Sequence, residues 1–179
     1  MSSVAELVEL GHRFIIVCEG TCEEVVIEKL LEGNRLLVPK DRIVDIVRRS
    51  SVETFTDRHL NYDYDWPVTI LRVVDSRSER FRLKSLYAKR FEVKSFVTRP
   101  EIEMLAIVRE GKFKEYSKVK SNTKPSVYCK QRLGMRDIKS RQYLEGYWAD
   151  VNVLVDAIME YRRLAKLKSG ELCLADLVC

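Results

Sequence analysis

Apolar and polar positions change rhythm several times along this chain, and each change marks an element. Phe14-Ile15-Ile16-Val17-Cys18 is an unbroken, β-branched apolar run that stops at Glu19-Gly20, which reads as a buried strand ending in a tight turn. From about Cys22 to Leu31 the pattern turns helical, with Thr21 and Glu24 in capping-box register and Gly33 as a stop signal. A short amphipathic lead, Val4 to Leu10, precedes the strand. Arg35 to Val38 suits a short second strand closed by Pro39, and Asp41 to Arg49 and Val52 to Leu60 carry weak helical patterns. After the aromatic, acidic turn Asn61 to Pro67, Val68 to Val74 is the clearest strand after the first, and it ends at Asp75. A helix from about Glu79 to Lys89 and a strand from Phe91 to Val97 complete the series.

Strands alternating with helical segments imply right-handed crossovers and a mainly parallel sheet, so the expected fold is α/β with a four-stranded sheet flanked by helices. Beyond Val97 the character changes. Thr98 and Glu101 are placed to cap a helix with Pro100 in its first turn, running to Gly111. A long helix from about Trp148 to Leu167 carries Val151, Leu154, Ile158, Tyr161 and Ala165 on one face. The expected organisation is an α/β domain over 1–111 and a helical C-terminal extension over 112–179, packed on the same core.

At 179 residues, with 46% hydrophobic positions and only 7 Gly and 4 Pro, the chain is long enough for a real core and unlike a disordered segment. No apolar run reaches the roughly 18 residues that span a bilayer, and the polar start Met1-Ser2-Ser3-Val4-Ala5-Glu6 lacks a signal-peptide pattern. A soluble, cytoplasmic protein with no membrane partner is the expectation. The 5 cysteines are scattered without a C-x-x-C pair, and His12 and His59 stand alone, so neither a disulfide framework nor a zinc site is indicated. There is no G-x-G-x-x-G and no G-K-[ST] motif, which argues against nucleotide hydrolysis by a P-loop.

Two strands end in carboxylates: Glu19 before Gly20, and Asp75 before Ser76-Arg77. In an open parallel sheet, ligands gather at the carboxyl ends of the strands. If the two strands are neighbours, these acids converge and could share Mg²⁺ or Mn²⁺, a hard cation that takes oxygen ligands and bridges to phosphate. The sequence pattern Glu19-Gly20-Thr21-Cys22-Glu23 after an apolar strand, with a later apolar strand ending in Asp75, resembles the Toprim domain of topoisomerases, primases and OLD-family nucleases. Arg99-Pro100-Glu101-Ile102-Glu103-Met104-Leu105 is similar to a segment of small stand-alone Toprim-like proteins from restriction and phage-defence loci. The resemblance covers about residues 13 to 110. It implies a Mg²⁺-dependent nuclease that makes or breaks phosphodiester bonds. Carried over by position, it makes Glu19, Asp75 and Glu23 the catalytic acids, and Glu19, Asp75 and Glu103 the metal-binding ones.

One position departs from that pattern. The family's third strand usually ends Asp-x-Asp, and here Arg77 occupies the second acid's place, which removes a ligand and reverses its charge. Either Glu79 or Glu23 compensates, or metal binding is weakened or lost. Asp63-Tyr64-Asp65 precedes its strand and belongs to the opposite edge. The net charge of +5 is mild, so clustering matters more than the total. Arg77, Arg80, Lys118, Lys120 and Lys124 are the expected phosphate contacts to DNA or RNA, although a solvated surface explains such charge runs equally well. A catalytically silent module that binds nucleic acid or a partner ATPase is the alternative. A third is an interaction protein that forms a homodimer through the apolar tail Leu172 to Val178.

Overall fold

The apolar run that opens the chain becomes an inner strand of a parallel sheet. A computed structural model describes residues 2–75 and 81–179. Helix α1 (Val4–Glu9) leads into β1 (Arg13–Cys18), α2 (Thr21–Glu32), β2 (Ile43–Arg48), the single turn α3 (Val52–Phe55), β3 (Val68–Val74), the single turn α4 (Ser85–Ala88) and β4 (Phe91–Val97). The remainder is helical: α5 (Met104–Arg109), α6 (Phe113–Ser117), α7 (Pro125–Arg132), α8 (Arg141–Tyr147) and α9 (Val151–Leu164). The strand order is β2-β1-β3-β4, and every pair is parallel.

Alternation along β1 sorts its side chains to two cores. Phe14, Ile16 and Cys18 join the larger cluster with α2, α5 and α9, whereas Ile15 and Val17 join Phe55, Leu60 and Phe91 on the other face. Both faces are covered, which is why β1 reads as a nearly continuous apolar run and every residue of β3, Thr69 and Arg72 included, is buried. Each fully buried Ile or Leu contributes roughly 1.5–3 kcal/mol. The larger cluster also takes in Leu154, Ile158 and Tyr161 of α9, so the helical C-terminal part shares a core with the sheet.

Several expectations need correction. Of the helix expected from about Glu79 to Lys89, the described residues form only the single turn Ser85–Ala88. The second strand is Ile43–Arg48, inside the segment expected to be weakly helical, and it pairs with β1 from Phe14 to Cys18. Its apolar residues Ile43, Val44, Ile46 and Val47 fall at spacings of three and four as readily as in a strand, and the free edge of β1 decides between them. Arg35 to Val38 instead meets the chain's own C-terminus: Leu36 bridges Val178, and Leu37 N–H donates to Leu177 O at 2.8 Å. The tail is therefore internal. Cys173, Leu174 and Leu177 are fully buried, and Val97 N–H donates to Leu172 O at 2.9 Å, which covers the outer edge of β4. Its apolar character belongs to this core and supplies no exposed dimer face. The helix after β4 also begins later than expected, at Met104: the Thr98 hydroxyl caps nothing among the described residues, and the Glu101 carboxylate accepts from Ser126 N–H at 2.8 Å. No helix among the described residues is long and apolar enough to cross a membrane.

Candidate active site at the strand ends

Strand order reverses between β1 and β3: α2 returns the chain to β2 on one side of β1, and the next connection crosses to β3 on the other side. A crevice opens at the carboxyl ends where connections diverge in this way. Glu19 and Asp75 are the residues that follow β1 and β3, so both stand at that crevice. They are in contact: the Asp75 N–H donates to Glu19 Oε2 at 3.0 Å. Burial, then the charge of Glu19 and a side-chain hydrogen bond with it, push the Asp75 carboxyl up to about 6.

The turn after β1 brings Glu23 to the same place. Gly20 is the N-cap of α2, and its N–H donates to Glu23 Oε2 at 2.9 Å. This reach-back occurs one residue earlier than the Thr21–Glu24 pairing in the sequence pattern. Glu24 instead pairs with Arg48 at 2.7 Å and with Arg141. Glu23 is only 6% exposed, and burial, opposed by backbone hydrogen bonds and aided by Glu103 and Glu19, pushes it up to about 7. Glu103 arrives from the segment before α5; it is buried, and burial raises its pKa against the pull of Lys139, whose Nζ lies 3.5 Å from Glu103 Oε1.

Glu19, Glu23, Asp75 and Glu103 thus line one cleft of about 230 Å³, together with Glu101 and Lys139. Glu101 and Lys139 are the members that sequence reasoning did not assign to the site. Glu101 sits two residues before Glu103 and was legible from that spacing; Lys139 had no local signal. Arg49, just past β2, is not part of that lining but pairs with Glu19, its Nη1 3.2 Å from Glu19 Oε1. Cys22 lines the cleft, but burial and the Glu103 charge push its thiol up to about 12, so it stays protonated and inert.

Of the expected phosphate contacts, Lys120 lines a separate groove that begins at Asp75. Lys118 and Lys124 are exposed nearby and line neither cavity. Arg77 and Arg80, and Glu79 with them, lie outside the described residues. Asp63 pairs with Arg90 at 2.8 Å, before β3 begins and away from Glu19, so the Asp63-Tyr64-Asp65 run does not join the site.

The donor chemistry suits a hard divalent cation: five carboxylates face one cleft, with no imidazole among them. Among the described residues no three acids, thiols or imidazoles converge closely enough to form a ligand cage, and the contact pair is Glu19 with Asp75. Two carboxylates match the habit of Mg²⁺, which commonly takes one or two and completes its shell with water and substrate phosphate. Comparison with protein-family models, with curated proteins and with solved structures finds no match to this chain.

Proposed function

We propose that this chain is a Mg²⁺- or Mn²⁺-dependent phosphodiester-cleaving enzyme of Toprim type, acting on nucleic acid, with phage defence as its setting. One observation carries the reading: two strand-end acids, Glu19 and Asp75, touch across the point where the sheet order reverses. Glu19 and Asp75 would hold the cation, with Glu103 or Glu23 beside them. Bound there, it would polarise a phosphoryl oxygen and activate a water. The remaining chemistry belongs to the protein. Glu23, held near 7 inside the cleft, is suited to keep a proton for the leaving oxygen at neutral pH. Asp75 near 6 loses its proton over the same range, and Lys139 offers a positive charge to the phosphate. The test is a nicking or cleavage assay with Mg²⁺ or Mn²⁺ on the parent, Glu19→Gln and Asp75→Asn. Activity in the parent that falls at least about a hundredfold in both variants supports the reading; equal activity in all three defeats it.

A second reading is favoured by the cations already on these acids: Arg49 at 3.2 Å from Glu19 and Lys139 at 3.5 Å from Glu103. Such pairs could stand in for a metal, leaving a catalytically silent module that binds nucleic acid or a partner ATPase. Its mark is salt-sensitive binding of nucleic acid with no divalent-dependent cleavage.

A further inference from the structure

The helical C-terminal part adds a second concavity, an open groove of about 910 Å³ whose lining starts at Asp75 and extends to Lys166. One wall holds Phe113, Tyr116 and Lys120, the other Tyr161, Leu164 and Lys166. The walls are fixed. Tyr116 Oη donates to Thr123 O at 3.1 Å, and Tyr161 Oη accepts from Arg99 N–H at 2.8 Å and donates to Arg99 O at 3.1 Å. Phe113, in contrast, leaves part of its ring exposed. Lys120 and Lys166 are exposed and make no ion pair among the described residues.

We infer that this groove holds a single-stranded nucleic acid and leads one of its phosphodiesters to Asp75. Lys120 and Lys166 meet backbone phosphates along the lips, and Phe113 stacks an unpaired base. The choice of a single strand follows from the ring: in a duplex the base faces are covered by their neighbours, whereas an unpaired strand offers them. Its direction rests on the cleaving role proposed for the acid edge; its occupancy does not.

Binding is read by fluorescence anisotropy in EDTA, so that no cleavage intervenes, with labelled single-stranded DNA and RNA and a duplex of the same sequence. Single strands are expected to bind about tenfold or more tighter than the duplex, and Lys120→Glu with Lys166→Glu to weaken them by about tenfold or more. The matched change Lys40→Glu with Lys89→Glu, at exposed positions before β2 and β4 on the opposite edge, should cost less than about threefold. Phe113→Leu, which keeps the partly buried side chain packed against the core while removing the stacking face, should cost about fivefold or more with little change in melting temperature. Duplex binding as tight as single-strand binding, groove variants no weaker than the control, or equal displacement by polyglutamate would each overturn the inference. Single-strand binding in a parent that never cleaves keeps the groove and removes the catalytic reading. Cleavage that ignores the groove variants does the reverse.

Discussion

The backbone N–H of Asp75 donates to Glu19 Oε2 at 3.0 Å, so the ends of β1 and β3 are tied through one carboxylate. Burial first, and then the like charge of Glu19 that this tie brings close, hold a proton on Asp75 up to about 6. In Glu19→Gln the like charge disappears while the burial remains. The Asp75 carboxyl, followed by NMR, should then titrate below the parent midpoint; an unchanged midpoint would mean that Glu19 is not its principal charged neighbour.

Stability should fall as pH rises through neutrality. Glu23 ordinarily titrates near 4.5 and is pushed up to about 7 in the fold, so the folded state holds the proton more tightly than the unfolded chain does. The stabilisation is complete below about 4.5 and is lost as pH climbs through about 7. Each pKa unit is worth about 1.4 kcal/mol, which puts the loss at the order of 3 kcal/mol. Glu23→Gln keeps an acceptor for the Gly20 N–H and should remove a large part of the drop in melting temperature between pH 5 and pH 8, the remainder coming from the other raised acids, Asp75 and Glu103. A variant with the same pH dependence as the parent would assign the titration elsewhere.

Close packing of α2 against α9 depends on Gly33. A Cβ there would lie 2.7 Å from Val151 Cγ1 and 2.8 Å from Cγ2. Gly33→Ala should cost about 1–3 kcal/mol by overpacking. Adding Val151→Ala should return part of that loss in a double-mutant cycle, because the two sites touch. Strict additivity in denaturant unfolding would contradict the contact.

The C-terminal tail should behave as core. Leu177 is fully buried, so Leu177→Ala should cost about 2–5 kcal/mol without altering the monomer–dimer balance seen in sedimentation. A stable variant with altered association would restore the tail as a dimer surface.

Where a residue's neighbours are local, the sequence was readable. The β1 run, the Glu19-Gly20 turn and the ends at Asp75 all lie in continuous apolar patterns flanked by abrupt polarity, and they become β1, the start of α2 and the end of β3. Ile43–Arg48 was not legible, because its spacing fits two periods and only pairing with β1 settles it. The tail misled for a similar reason: what makes it internal is the pairing of Val178 with Leu36 and of Leu172 with Phe96, far away in the chain. In the cleft, Glu19, Asp75, Glu23 and Glu103 could be named from strand ends and helix starts, whereas Lys139 enters from a segment with no pattern of its own.

The most direct test is Mn²⁺ binding followed by electron paramagnetic resonance at pH 8, where Glu23 and Asp75 are ionised, on the parent, Glu19→Gln and Asp75→Asn. About one ion bound per chain in the parent, with binding weakened by about tenfold or more in each variant, is the expected result. No binding in the parent, or equal binding in all three, would contradict a divalent site between these strand ends.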